Sequence, residues 1–210
     1  MTKETMTVHE ALCELKIIGD RIDSATNRMF IIANKHSNKK IDGVSIEETV
    51  ETIKSNYQKV NDLITRRNAI KRAVVDSNAK TKIIIGDKEY TVAEAIEMNK
   101  SGIYYQEQLM RTLNSQYIKN QNIVKMNNDA VENKADNYVA DIYGNKDSNN
   151  TADIEAARKG YVEAQSYELI DPINIKKEIE KLEAEIALFK TKVDSQLSIS
   201  NAVTTIEIEY

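Results

Sequence analysis

The chain contains one nine-residue phrase twice, at residues 77–85 and 200–208, and six of the nine positions are identical. Both copies read Ser-Asn-Ala-x-Thr-x-Ile-x-Ile. A long helical pattern precedes each copy, and the alternating residues at its end are typical of a strand. Asn78 suits the left-handed conformation that often ends a helix. Each phrase therefore predicts a helix that ends near Asn78 or Asn201, a sharp corner and a strand.

The scarcity of helix-breaking residues favours long helices. The 210 residues include one proline and six glycines, with 41% apolar and 30% charged residues, as in soluble folded chains. We predict a single elongated domain of mainly α class. It would consist of long antiparallel coiled-coil helices, a helical hairpin among them, with one small antiparallel β-sheet formed by a hairpin and the C-terminal strand.

The first helix has a clear start and a regular apolar spacing. Thr7 and Glu10 have the Thr-x-x-Glu spacing of a capping box, and Ser45 and Glu48 repeat it before the second helix. Apolar residues of the first helix recur in steps of three and four, a spacing typical of a coiled coil. These residues are Val8, Ala11, Leu15, Ile18, Ile22, Ala25, Met29 and Ile32. Two long helices joined by a short loop pack antiparallel.

Turn and cap signals place the remaining boundaries. Gly86-Asp87 favours a β-hairpin turn, Thr91 and Glu94 form another capping pair, and Asp171-Pro172 suits a helix start. Polar residues at seam positions of the third long helix favour specific self-association or loose packing; they are Asn99, Gln106, Asn120 and Asn127. The predicted segments are a helical hairpin (7–76), a β-hairpin (80–92), a long helix (92–142), a polar loop (143–152), a short helix with connector (153–170), a helix (171–199) and a strand (201–210).

The inventory of catalytic groups is small. His9 and His36 are the only histidines, Cys13 is the only cysteine, and none has the spacing of a zinc site. Cys13 cannot form an internal disulfide, which suits a reducing compartment. The chain has no glycine-rich phosphate loop. We expect no enzyme, no catalytic or cofactor-binding residues and no cofactor.

One string resembles a calcium loop. Asn145, Asp147 and Asn149 alternate as calcium ligands do, and Asp153 and Glu155 follow. However, Asn150 replaces the turn glycine and Ala156 stands where the closing bidentate glutamate belongs, which disfavours calcium. We expect a solvated polar loop and no metal site.

Charge and aromatic content favour protein partners. The net charge of -4, with both signs interspersed, gives no general attraction to nucleic acid. Basic residues form two separate clusters, one at a hairpin tip (Lys35, Lys39 and Lys40) and one farther along (Arg66, Arg67, Lys71 and Arg72). Tyrosines concentrate between residues 104 and 167, which suits a protein interface or a half-buried core edge; they are Tyr104, Tyr105, Tyr117, Tyr138, Tyr143, Tyr161 and Tyr167. We expect self-association or binding to other particle proteins, and no nucleic acid or small-molecule substrate.

No apolar run approaches the roughly 18 residues of a membrane span, and the first residues lack the apolar region of a signal peptide. We therefore expect no membrane span. The expected location is the cytoplasm of the producing bacterial cell, or a virion for a particle component.

The layout resembles the small septicolysin-like coiled-coil family and uncharacterised phage and prophage proteins. The resemblance depends on Asn78, on Thr91-Val92-Ala93-Glu94-Ala95-Ile96 after a strand and turn, on Asp171, and on Asn201 with Thr204 and Thr205. The family name implies cytolysis, although nothing in this chain resembles a membrane-inserting segment. The resemblance implies no catalytic residues.

Three hypotheses follow. The leading one is a non-enzymatic structural or assembly protein, a phage or prophage particle component that acts through helix faces and strand edges. Richness in Asn, Ile and Lys suits an AT-rich bacterial host or its phage. The second is an intracellular binding module, such as a phage-encoded inhibitor of a host protein. The third is a cytolysin-like membrane-active protein.

Overall fold

The computed structural model describes residues 2–144 and 151–210, and helices dominate it, which confirms the mainly α class. In chain order the elements are β1 (Lys3–Thr7), α1 (Val8–Thr26), β2 (Lys40–Ile41), β3 (Val44–Ser45), α2 (Ile46–Lys80), β4 (Lys82–Ile85), β5 (Lys88–Thr91), α3 (Val92–Glu97), a π-helical turn (Met98–Gly102), α4 (Ile103–Tyr143), α5 (Thr151–Gln165), α6 (Ile175–Val203) and β6 (Thr205–Glu209).

Contacts divide the chain into two compact units. The first unit comprises Met1–Ser101 and Leu188–Tyr210, and the second comprises Gly102–Ala187. The single elongated domain stays a prediction. The coiled-coil geometry of the helices also stays a prediction.

The predicted helical hairpin is present in the first unit. Arg66 of α2 contacts Glu14 of α1, whereas Asn56, earlier in α2, contacts the segment just after α1. The start of α1 therefore lies beside a later part of α2, and the end of α1 lies beside an earlier part of α2. The two helices are antiparallel. The capping box of Thr7 and Glu10 is confirmed.

The first helix is shorter than the apolar spacing predicted. It ends at Thr26, so Met29 and Ile32 lie outside it. The side-chain amide of Asn27 donates to the Asp23 carbonyl at 3.0 Å, and that of Asn56 donates to the Met29 carbonyl at 3.1 Å. In a longer helix, backbone amides would donate to these carbonyls. Here side-chain amides donate to them instead, so the helix can end at Thr26 without leaving these carbonyls unpaired.

The predicted corner at Asn78 and Asn201 is wrong. Both residues are helical, because α2 continues to Lys80 and α6 to Val203. Thr81 N donates to the Ser77 carbonyl at 2.8 Å, and Thr204 N donates to the Ser200 carbonyl at 2.9 Å. Ordinary helical hydrogen bonds thus persist through the phrase, and no left-handed residue is needed. Extended backbone begins only at the threonine, with φ -73° and ψ 130° at Thr81.

The predicted single sheet is also wrong, because the C-terminal strand has a different partner. β4 pairs with β5 in the predicted hairpin, whereas β6 pairs with β1 near the N-terminus. The β1–β6 register places Thr7 opposite Thr205 and Met6 opposite Ile206. β1 was not predicted, because Met6 is its one apolar residue and no alternating pattern marks a strand there.

A second repeated phrase explains this pairing. Residues 7–11 read Thr-Val-His-Glu-Ala and residues 91–95 read Thr-Val-Ala-Glu-Ala. Val8 N donates to the Thr204 carbonyl and Val92 N to the Thr81 carbonyl, both at 2.9 Å. The chain thus holds two copies of one arrangement, β1-α1-α2-β4 and β5-α3-α4-α5-α6-β6. The first strand of each copy pairs with the last strand of the other.

The two sheets bury matching apolar side chains. Ile206 and Ile208 pack with Met6, Val8, Ala11, Ile70 and Val74 in one core cluster. Their counterparts Ile83 and Ile85 are buried as well, and beside them the Tyr90 and Phe189 rings meet edge-to-face at 5.7 Å. Ile70 and Val193 each lie seven residues before the serine of a phrase, and both are buried.

The predicted start of the last helix is wrong by a few residues. α6 begins at Ile175, and Pro172 lies in a turn before it. Asn174 has φ +54°, a left-handed conformation that separates the proline from the helix. Asp171 still caps α6, since its carboxylate accepts a hydrogen bond from Ile175 N at 2.9 Å.

The long helix predicted over 92–142 is present with one irregularity. α3 leads through the π-helical turn into α4, which ends at Tyr143 and is followed by Gly144 with φ +62°. The predicted polar loop (143–152) is helical at residues 143, 151 and 152, and its residues 145–150 lie outside the described part of the chain. α5 begins at Thr151, two residues before its predicted start.

Candidate protein-interaction surfaces

The titratable groups with shifted pKa values have structural roles. The backbone amide of Thr7 donates to the Glu10 carboxylate at 2.8 Å, and that of Thr91 donates to Glu94 at 2.7 Å. These hydrogen bonds stabilise the ionised form and lower the pKa of Glu10 and Glu94 below the ordinary 4.5. Both carboxylates hold helix starts.

Arg66 is the centre of a charged cluster in the first unit. Its guanidinium contacts Glu14, lies 2.8 Å from Glu4, donates to the Tyr210 hydroxyl and packs over that ring at 4.8 Å. Hydrogen bonds to Glu14 and Glu4 raise the pKa of Arg66. The arginine therefore ties α2 to β1, α1 and the residue after β6. Its donors are engaged within the chain, which disfavours a phosphate contact at this cluster.

Arg158 has the same role in the second unit. Its guanidinium lies 2.5 Å from Glu132 and 2.7 Å from Asp136, which holds α5 against α4. Hydrogen bonds to Asp136 and then Glu132 raise the pKa of Arg158. Tyr138 and Tyr161 stack nearby with ring centroids 4.9 Å apart.

Among the described residues, no group of three or more His, Cys, Asp or Glu side chains is placed to hold a metal ion. His9 Nε2 lies 3.8 Å from Cys13 Sγ on the exposed side of α1. His36 lies in an exposed turn. The predicted calcium-like string falls mostly on residues 145–150, outside the described part; Asp153 and Glu155 lie on α5.

The tip of the α1–α2 hairpin is a basic loop with uncovered aliphatic side chains. All ten residues from 31 to 40 are exposed, and Ile31 keeps 87% of its surface. Lys35, Lys39 and Lys40 lie in this loop, and the sequence has no Asp or Glu from residue 28 to residue 41. We call residues 31–40 the basic loop. The sequence predicted the charge of the basic loop. It did not predict the exposure of Ile31, because the apolar spacing extended the first helix to Ile32.

Helix α4 has an apolar stripe that no other described residue covers fully. Tyr105, Leu109, Ile123 and Met126 keep 66%, 50%, 42% and 70% of their surfaces. Their spacings of 4, 14 and 3 residues place them on one face in a 3.5-residue repeat. We call these four residues the α4 stripe. They do not coincide with the predicted polar seam, whose Gln106 and Asn127 are partly covered.

The second unit also has a groove between α4 and the segment before α6. It has a volume of about 390 Å³, and its wall includes Ile123, Leu169 and Ile170. Asn128 fixes one side of it: Asn128 Nδ2 donates to the Tyr167 carbonyl at 3.0 Å, and Tyr167 N donates to Asn128 Oδ1 at 2.7 Å. The extended segment is thereby anchored on α4, which forms the groove.

The predicted tyrosine cluster is divided among these surfaces. Tyr117 and Tyr167 line the groove, Tyr105 belongs to the α4 stripe, and Tyr104 meets Tyr105 edge-to-face at 5.6 Å. Tyr143 is the last residue of α4. Sequence reasoning missed Asn128 and Ile170. Nothing in the sequence around Asn128 indicates that its side chain contacts the backbone of Tyr167. Leu169 and Ile170, by contrast, form an apolar pair in a polar connector, and this pair could have indicated an exposed apolar site.

Comparison with known proteins places the chain in no family. No family model, curated protein or solved structure matches it. The resemblance to septicolysin-like and phage proteins therefore stays a prediction. No helix in the described part of the chain is both long and apolar enough to cross a membrane.

Proposed function

We propose that this chain is a non-enzymatic assembly protein that binds a partner helix through the α4 stripe. The observation that carries the proposal is the exposure of four large apolar side chains on one face of an ordered helix. Isolated exposed apolar residues are common, but an aligned set on one helix marks an interaction face. The partner most compatible with a 3.5-residue repeat is another helix.

Polar residues inside the stripe support a specific partner. Thr112, Gln116 and Lys119 fall in the same repeat between Leu109 and Ile123. Polar groups at such positions weaken packing but select register and partner number, because a wrong partner leaves them buried without hydrogen bonds. A surface built for nonspecific burial would have aliphatic residues there.

We further propose that the partner is a component of a phage or prophage particle. The sequence resemblance to phage proteins of similar layout and the richness in Asn, Ile and Lys support this assignment. The corresponding location is the cytoplasm of the producing cell before assembly and the virion afterwards.

A variant pair tests the use of the α4 stripe. Tyr105→Ser with Leu109→Ser removes two apolar residues from it, whereas Ile118→Ser removes an equally exposed residue from the opposite face. Each is co-expressed with the products of neighbouring genes, and complexes are measured by size-exclusion chromatography with light scattering. We expect wild type and Ile118→Ser to co-elute with a capsid or tail protein, and the double variant to elute alone. Retained binding by the double variant would refute the role of the stripe, and a wild type that binds no particle protein would refute the particle assignment.

A further inference from the structure

Two isoleucines are the most exposed of the large apolar side chains among the described residues. Ile170 keeps 91% of its surface and Ile31 keeps 87%. Ile31 belongs to the basic loop of the first unit, and Ile170 lies at the groove of the second unit. Each has an exposed apolar neighbour, Ile32 beside Ile31 and Leu169 beside Ile170, and grouped apolar exposure of this kind marks an interaction site.

The surroundings of these isoleucines have opposite charge. The basic loop has three lysines and no carboxylate. The charged residues that line the groove are Glu168 and Asp171, both acidic. Each surface therefore combines an apolar centre with a charged rim, and the rims are complementary.

The two surfaces also occupy equivalent places in the internal repeat. The basic loop belongs to the connection that leads into α2, and residues 166–174 lead into α6. α2 and α6 are the helices that end in the repeated Ser-Asn-Ala phrase. One repeat thus presents the basic member of the pair and the other presents the acidic member.

We propose that the basic loop of one copy binds the groove of a second copy. Ile31 would pack against Leu169 and Ile170, while Lys39 and Lys40 would face Glu168 and Asp171. The contact joins two different surfaces, so every copy offers both, and the association is head-to-tail. This inference rests on the proposed assembly function and names one of its partners.

A nucleic acid or an anionic membrane fits the observations less well. Phosphates would satisfy the lysines but would leave the acidic groove without a partner. A second copy covers both isoleucines and pairs both charged rims at once. The Asn128 contacts hold the groove open in advance, which lowers the ordering cost of binding.

Complementary variants test the contact. The loop variant carries Ile31→Ser, Lys39→Glu and Lys40→Glu and keeps an intact groove. The groove variant carries Leu169→Ser and Ile170→Ser and keeps an intact loop. All substituted side chains are exposed, and circular dichroism with thermal melting verifies that both variants fold.

Sedimentation velocity from micromolar to millimolar protein gives the readout. We expect wild type to form species that grow with concentration, and each variant alone to stay monomeric. An equimolar mixture of the two variants should form a one-to-one complex and nothing larger, because it contains one functional loop–groove pair. Added salt should weaken the wild-type association, since the charged rims are screened.

Several results would overturn the proposal: a wild type that stays monomeric, a folded variant that assembles as wild type does, or a mixture without complex. Wild-type monomers that bind anionic phosphatidylglycerol vesicles through the loop would replace it with membrane binding. The Tyr105→Ser, Leu109→Ser variant separates this proposal from the preceding one. Assembly that depends on the α4 stripe and not on the loop would refute the loop–groove contact alone.

Discussion

The pairing of the C-terminal strand with β1 predicts a strong contrast between isoleucines of the two repeated phrases. Ile206 keeps 6% of its surface and belongs to the core cluster that includes Ile70. Ile84 lies in the other phrase and keeps 62%. We compare Ile206→Ala with Ile84→Ala, so the chemical change is the same and only the burial differs.

The expected magnitudes follow from burial. Truncation of a buried isoleucine to alanine costs about 2–5 kcal/mol, because apolar contact is lost and a cavity remains. An exposed substitution stays within about 0.5 kcal/mol. For a chain of this size each kcal/mol shifts Tm by about 2–4 °C, so Ile206→Ala should lower Tm by about 4–20 °C. Ile83→Ala, at the position equivalent to Ile206, should fall in the same range.

Urea denaturation and thermal melting, both followed by far-ultraviolet circular dichroism, measure these differences. Equal losses for Ile206→Ala and Ile84→Ala would refute the burial argument. A deletion of residues 201–210 provides a second check, since it removes all of β6. It should destabilise the protein more than either point variant, and an unchanged Tm would show that β6 does not clamp the N-terminal strand.

Four further predictions concern a turn, a helix interior, a helix cap and the groove. Gly86→Ala should destabilise the protein by about 1–3 kcal/mol in urea denaturation, because Gly86 has φ +65°, a backbone conformation that strains a residue with a Cβ. Gly19→Ala should instead stabilise it by about 0.5–1 kcal/mol, since nothing lies within 4 Å of its Cβ position in α1. The pKa of Glu94 lies below 4.5 in the folded protein, so its contribution is present above that pH and is lost as pH falls through the folded pKa. Denaturation at several acidic pH values should therefore show a smaller loss of stability for Glu94→Gln than for wild type. Asn128→Ala should speed amide hydrogen exchange at Tyr167 by about threefold to tenfold, as seen by NMR, because one hydrogen bond is lost; unchanged exchange would contradict the anchoring role of Asn128.

The helices and caps were predictable because their signals are local. Thr7 with Glu10 and Thr91 with Glu94 are separated by three residues, and the spacing alone implies the hydrogen bonds that form. The partner of β6 was not predictable in this way. Met6 pairs with Ile206, 200 positions away in the sequence, and no local pattern at either residue indicates this pairing. Only comparison of the two Thr-Val-x-Glu-Ala phrases indicates it.

The interaction surfaces were harder to predict for a related reason. Their apolar residues are of the same types as core residues and differ from them only in solvent exposure, which depends on the tertiary fold. The sequence pattern of Tyr105, Leu109, Ile123 and Met126 is that of an ordinary packed face, and only the fold shows that no described neighbour completes it. Ile31 directly precedes Ile32, the last residue of the predicted helical spacing, yet α1 ends five residues before Ile31.

The two copies of the repeat differ in length, and this difference distinguishes residues that stabilise the fold from residues proposed to bind partners. From Thr7 to Ser77 the chain advances 70 residues, but from Thr91 to Ser200 it advances 109, so the second copy is 39 residues longer. The matching ends of both copies form the sheets and their cores. The additional length includes α5 and the connector before α6, which contains Glu168 and Asp171. This connector forms one wall of the groove and is held to α4 by the Asn128 contacts. Residues shared by the copies therefore account for folding, whereas the residues proposed to bind partners lie where the copies diverge. A substitution at a shared buried position should lower stability and partner binding together, and one at an exposed residue of the basic loop, the α4 stripe or the groove should lower binding alone.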